Sequence, residues 1–269
     1  MTLRLFGYIA LLGSIVLTTA CQTTTSSNST LGEKNPEKAV QLRTQLAAEY
    51  IRNGQLDKAK NELDNALTTN SRSVEANAMM GVLLQQEGSP ANMKKAEDYF
   101  RRALSIESGN AQVRNNYGTY LFQLQRYQEA AEQFKIAGST LGYQQRYRSL
   151  ENLGQVYLRL NDKVNAEKSF RQAIQVNRNA VNAKLELAEL LYGQQRFTLA
   201  GQMYEDYVRS TDQRNQSAQA LWLGVRLARV RHDDMGMQVL ANQLRAQYPE
   251  SVEYKTYLQL KNGSEAVWK

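Results

Sequence analysis

The residue types that dominate nucleophilic and metal chemistry are nearly absent from this chain. Its 269 residues include one cysteine, Cys21, and one histidine, His232. A catalytic nucleophile activated by an imidazole could be built only around His232. A zinc site needs three or four converging ligands. His232 stands in Arg231-His232-Asp233-Asp234-Met235-Gly236, and a histidine beside two carboxylates suggests a metal or acid–base site. The same stretch reads more simply as a turn between two helices, with an aspartate capping the second. No glycine loop suited to cradling a phosphate is found. Glu186 and Glu189 read as charges on a solvated helix face. The chain is therefore read as a non-enzyme with no metal, no cofactor and no small-molecule substrate.

The surroundings of Cys21 give it a different task. One charged residue, Arg4, precedes the apolar run Leu5 to Leu17, and the chain turns polar at Thr18. The run is shorter than the roughly 20 residues a transmembrane helix needs, and its layout is that of a secretory signal. Thr18-Thr19-Ala20-Cys21 resembles a bacterial lipobox, although Thr18 stands where lipoboxes carry leucine. That resemblance implies that Cys21 becomes the mature N-terminus and carries covalent lipid, including palmitate. The alternatives are a cut near Ala20 that leaves a free thiol, and an uncleaved anchor. Gln22, where an aspartate signals inner-membrane retention in Gram-negative lipoproteins, implies export to the outer membrane. Residues 22–35 are rich in Ser, Thr and Asn and bury too little surface to offset chain entropy, so they read as a flexible tether.

Composition points to helix. Three prolines, 42% hydrophobic residues and an abundance of Ala, Leu, Gln, Glu, Lys and Arg favour an all-α fold. The net charge of +7 is spread among acids along helical faces, so no nucleic-acid partner is read from it.

Repetition is the strongest signal. Small residues at Ala47, Gly81, Gly118, Gly154, Ala188 and Gly224 recur with spacings of 34, 37, 36, 34 and 36. After each small residue come a large residue, an alanine, a second large residue and a second alanine, as in Gly154, Tyr157, Ala166, Phe170 and Ala173. The sixth copy is degenerate, with Gly236, Leu240 and Gln243 at those places. This pattern resembles the tetratricopeptide repeat, which implies two antiparallel helices per unit stacked into a right-handed superhelix. About six helix pairs are expected, with Ser251 to Leu260 as a C-terminal capping helix. The domain reading is a signal peptide over residues 1–20, a lipidated N-terminus and tether over 21–36, the solenoid over 37–262 and a tail over 263–269.

In such a solenoid the first helix of each unit lines the concave groove. The positions four after each small residue are Ile51, Gln85, Phe122, Leu158 and Tyr192, and those one after begin with Ala48 and Val82. A second inward set begins with Thr44. These side chains either form a peptide groove with apolar anchors or fill the inner curve of the solenoid. The expected partner-binding groove is Thr44, Ala48, Ile51, Met79, Val82 and Phe122, with the first repeat the most open.

The lipobox, the threonine–serine tether, the six repeats and Tyr248-Pro249-Glu250-Ser251-Val252-Glu253-Tyr254 together resemble the pilotin family of type IV pilus biogenesis lipoproteins. The resemblance implies a lipid-anchored outer-membrane protein facing the periplasm. Such a protein binds subunits of the pilus secretin and promotes their delivery and multimerisation. The alternative is a scaffold lipoprotein of another envelope machine, for barrel assembly or regulation of a peptidoglycan enzyme.

Overall fold

The computed structural model describes residues 35–211 and 216–261, and these form an all-α solenoid. The helices are α1 (Pro36–Arg52), α2 (Leu56–Thr69), α3 (Val74–Glu87), α4 (Pro90–Ile106), α5 (Ala111–Gln123), α6 (Tyr127–Ser139), α7 (Arg146–Arg159), α8 (Lys163–Val176), α9 (Val181–Gly193), α10 (Phe197–Ser210), α11 (Ala218–Val230), α12 (Asp234–Gln247) and α13 (Val252–Leu260). Odd and even helices pair as six antiparallel hairpins, and each even helix also packs on the next odd one. The odd helices touch each other from one unit to the next along much of the array, so they form the inner layer. The signal peptide, Cys21, the tether up to residue 34 and the tail over 263–269 lie outside the described residues, whereas Asn35 and Pro36, the last two residues of the expected tether, cap and begin α1.

Each even helix presents one apolar stripe. The buried residues are Ala59, Leu63 and Ala66 in α2, Ala96, Phe100 and Ala103 in α4, and Ala166, Phe170 and Ala173 in α8. Steps of four and three residues keep such a set on one helical face. The odd helices are enclosed on more sides, so α3 and α9 bury most of their length. The core runs as two large apolar clusters, one reaching from Ala47 to Val156 and the other from Leu150 to Leu227, which meet at α7.

The recurrent small residue exists for close approach. A Cβ at Gly81 would stand 2.9 Å from the Phe100 ring, and one at Gly118 would stand 2.8 Å from Phe134. Gly154 lies against Phe170 in the same way. Where the even helix offers a leucine instead, as Leu63 does in the first unit, an alanine (Ala47) suffices, and both are fully buried.

The turn inside each hairpin is equally regular. Gly54, Gly88, Gln125, Asn161, Gln195 and His232 all have φ between 56° and 80°. This left-handed residue closes the odd helix in a Schellman-type end in which, for example, Arg126 N–H donates to Leu121 O at 2.9 Å. His232 is therefore the turn residue of the sixth hairpin, and Asp233 Oδ1 accepts the Gly236 N–H at 2.8 Å to cap α12. In the sixth unit one residue more separates the small residue from this turn: Gly224 to His232 is eight positions, where Gly154 to Asn161 is seven. The buried face of α12 therefore falls on Ala241 and Leu244, one residue beyond the places counted from Gly224, while Leu240 packs against Gly224. Gly236 and Gln243, expected at the interface, are not among the buried residues of α12: Gly236 abuts its own cap and Gln243 is half-buried.

Charged clasps tie successive units. Glu97 of α4 accepts from Arg126 Nη1 at 2.8 Å, and Glu167 of α8 accepts from Arg196 Nη1 at 2.6 Å, the same pair two repeats on. Helix α13, capped by Ser251, closes the array by laying Tyr257 and Leu260 over Val225, Trp222 and Leu240. It occupies the place of the first helix of a seventh unit.

Candidate binding groove

The inner layer carries the candidate site, and its N-terminal end is open. A cavity of about 740 Å³ lies between α1, the turn over 70–73 and the first turns of α3. Thr44, Ala48 and Met79 line it together with Val40 and Val74, and a polar rim includes Lys38, Gln41, Gln45, Arg72 and Glu75. The Thr44 hydroxyl donates to Val40 O at 2.8 Å, so this group is engaged within its own helix. One turn along α3, Val82 lines a second cavity of about 310 Å³ with Gln85, Gln86, Asn116, Thr119 and Gln123.

The other two residues expected in the groove line neither cavity. Ile51 is 6% exposed and belongs to the apolar core. Phe122 is half-buried, with its ring edge-on to Tyr127 at 5.4 Å, and Tyr192 meets Phe197 in the same way at 5.2 Å. Apart from Gln85, which lines the second cavity, the positions four after each small residue thus supply rings and branched chains rather than groove contacts. The set one after, with Met79, faces the open groove.

The C-terminal half of the inner layer is charged, and its carboxylates correct the sequence reading. Glu186 and Glu189 are half-buried rather than solvated. Burial pushes both carboxyl groups above the ordinary carboxylate range. Glu189 takes both oxygens to Arg226 Nη2 at 2.7 Å, and the Arg226 guanidinium lies 4.6 Å from the Tyr192 ring and 5.4 Å from that of Trp222. Charge pairing and ring contact together fix this cation. Glu151 is 8% exposed and accepts the Ala183 N–H at 3.1 Å, and burial raises its carboxyl above the usual range.

The sequence reading missed three features. The turn over 70–73 forms a wall of the first cavity, Glu151 acts on a neighbouring helix, and the second cavity is lined by carboxamides. Only the last left a signal, because Val82, Gln85 and Thr119 fall at inward-facing offsets from Gly81 and Gly118, whereas Asn116 and Gln123 do not. Among the described residues, no group of three His, Cys, Asp or Glu side chains converges to hold a metal ion, and no helix is long and apolar enough to cross a membrane.

Comparison with known proteins agrees with this geometry. The tetratricopeptide repeat family matches residues 91–139 and 151–218. The type IV pilus assembly protein PilF of Pseudomonas aeruginosa is 34% identical over 239 residues, spanning 89% of this chain and 92% of PilF. The solved structure of P. aeruginosa PilF superposes with a TM-score of 0.76 over 83% of this chain and 98% of its own. The structure of PilW, described as a widely conserved type IV pilus biogenesis factor, is 25% identical with a TM-score of 0.70, covering 81% of this chain and 98% of PilW. The share of both partners that is covered takes the likeness well beyond a shared repeat. The chain is a tetratricopeptide-repeat protein of type IV pilus biogenesis and belongs to the PilF family.

Proposed function

We propose that this protein is a pilotin: an outer-membrane lipoprotein, anchored through lipid on Cys21 and facing the periplasm, that binds pilus secretin subunits and promotes their localisation and multimerisation. The observation that carries this reading is the open cavity at the first repeat. Its wall of Thr44, Ala48 and Met79, with Val40 and Val74, offers apolar contact to a secretin segment, and its polar rim offers orientation. Asn35, the first described residue, also lines it, so the groove begins where the tether ends. Function by this route needs no catalysis. The acyl chains hold the captured subunit near one membrane and raise its effective concentration there.

The test is a deletion strain complemented with wild type, Cys21→Ala or Ala48→Glu/Met79→Glu. Its membranes are fractionated, and the secretin is run unboiled on a denaturing gel. The expected result is loss of outer-membrane multimers in the deletion, rescue by wild type, and failure of both variants while their circular dichroism stays helical. Normal multimers in the outer membrane of the deletion strain would sink the pilotin role.

A further inference from the structure

The two cavities of the inner layer are consecutive. Met79 lines the first and Val82 the second, one turn apart on α3. Their chemistry differs. The second has four carboxamides, one threonine and one valine, and no charged side chain. Gln85 Nε2 donates to Gln123 Oε1 at 2.9 Å, which bridges α3 and α5 across the cavity. The amide character continues toward α7, where Ser149 Oγ donates to Asn115 Oδ1 at 2.8 Å.

A carboxamide carries one acceptor and two donors, the same groups as a peptide bond. A polypeptide lying extended outside a sheet has unpaired N–H and C=O groups that must find partners when water is removed. Long glutamine side chains that now bond one another can exchange that bond for a peptide group with little net change. The cavity offers no charge to select an ionic side chain and only Val82 as an apolar contact.

We propose that the cavity between α3 and α5 holds the main chain of an extended polypeptide segment, continuous with the segment seated in the first cavity, and recognises backbone rather than side-chain sequence. The inference rests on the reading of the first cavity as the secretin-binding groove. It extends the bound region from an apolar anchor to a sequence-tolerant track.

The test places a benzoylphenylalanine photo-crosslinker at Ala48 or at Thr119 of the full-length lipoprotein in the producing strain, with the secretin detected by immunoblot. Cross-links from both positions are expected. A cross-link from Ala48 alone overturns the track and leaves the pilotin reading standing, whereas no cross-link from either position removes both. A second measurement uses Gln85→Ala/Asn116→Ala/Gln123→Ala, substitutions that raise helix propensity and so keep the fold. The secretin co-purified with this variant should fall roughly five- to tenfold, the effect of one or two lost hydrogen bonds. That deficit should be the same between about 0.1 and about 0.5 M salt, because no charge is removed. Unchanged co-purification, or a deficit that grows or shrinks with salt, overturns recognition of the backbone.

Discussion

The carboxylate of Glu151, on α7, caps a helix to which it does not belong. Its Oε1 accepts the N–H of Ala183, the third residue of α9, at 3.1 Å. The residue at the N-cap of α9 is Ala180, which has no side-chain oxygen to do this itself. The negative end also faces the positive end of the helix dipole. Against these gains stands the cost of burial, which holds the carboxyl above its ordinary range.

Glu151→Ala should therefore destabilise the protein by about 1–2 kcal/mol, through a buried N–H left without a partner. Glu151→Gln keeps the acceptor and sheds the desolvated charge, so it should match or exceed wild type at neutral pH. Urea denaturation followed by circular dichroism gives the ordering. Equal stability of the Ala and Gln variants would deny the capping role.

The hairpins impose a different limit. Phe170 packs on the bare Cα of Gly154, and any Cβ there must displace a fully buried ring. Gly154→Ala should cost roughly 1–3 kcal/mol from overpacking, offset by about 1 kcal/mol from alanine's better helix propensity. Gly193, at the end of α9, has open space around its Cα. Gly193→Ala should be neutral or stabilising by up to about 1 kcal/mol. The same substitution is thus expected to act in opposite senses at two helical glycines, which denaturation midpoints measured side by side would decide.

A third expectation concerns acid. Burial, and secondarily the neighbouring Glu189 charge, raise the Glu186 carboxyl above the ordinary carboxylate range near 4.5. The folded state then binds more protons than the unfolded chain between 4.5 and the raised value. Glu186 therefore weakens the fold at neutral pH, and this penalty is relieved as pH falls through the folded pKa toward 4.5. Glu186→Gln should raise the melting temperature at pH 7.5, and the gain should vanish near pH 4. Glu97 and Glu167 are held low by arginine partners despite their burial, so their contribution is present at neutral pH and lost only below that window. A Glu186→Gln gain that persisted unchanged at pH 4 would exclude the ionised carboxylate as its source.

Much of this was legible in the residues themselves. The spacing of Ala47, Gly81, Gly118, Gly154, Ala188 and Gly224 sets helix pairs of a repeat class, because only a small residue allows a phenylalanine of the partner helix that close. The Arg231–Gly236 stretch was readable as a turn for a local reason, since an aspartate three residues before a backbone N–H can cap it without help from elsewhere. Those features depend on contacts within one hairpin, and short-range sequence patterns encode such contacts directly.

The tertiary structure alone decided which inward positions are open. Ile51, four after its small residue, and Val82, one after, are both expected in the groove, yet Ile51 is sealed into the core while Val82 borders a cavity. The difference lies in which offset packs into the core and which borders the open groove, and only the packing of the helices reveals it. The burial of Glu186 and Glu189 has the same origin, since α7 and α11 flank them with Gln155, Gln219 and Arg226. The sixth hairpin makes the point most simply: one residue more between Gly224 and the left-handed His232 places the buried face of α12 on Ala241 and Leu244, a shift visible only once the helices are packed.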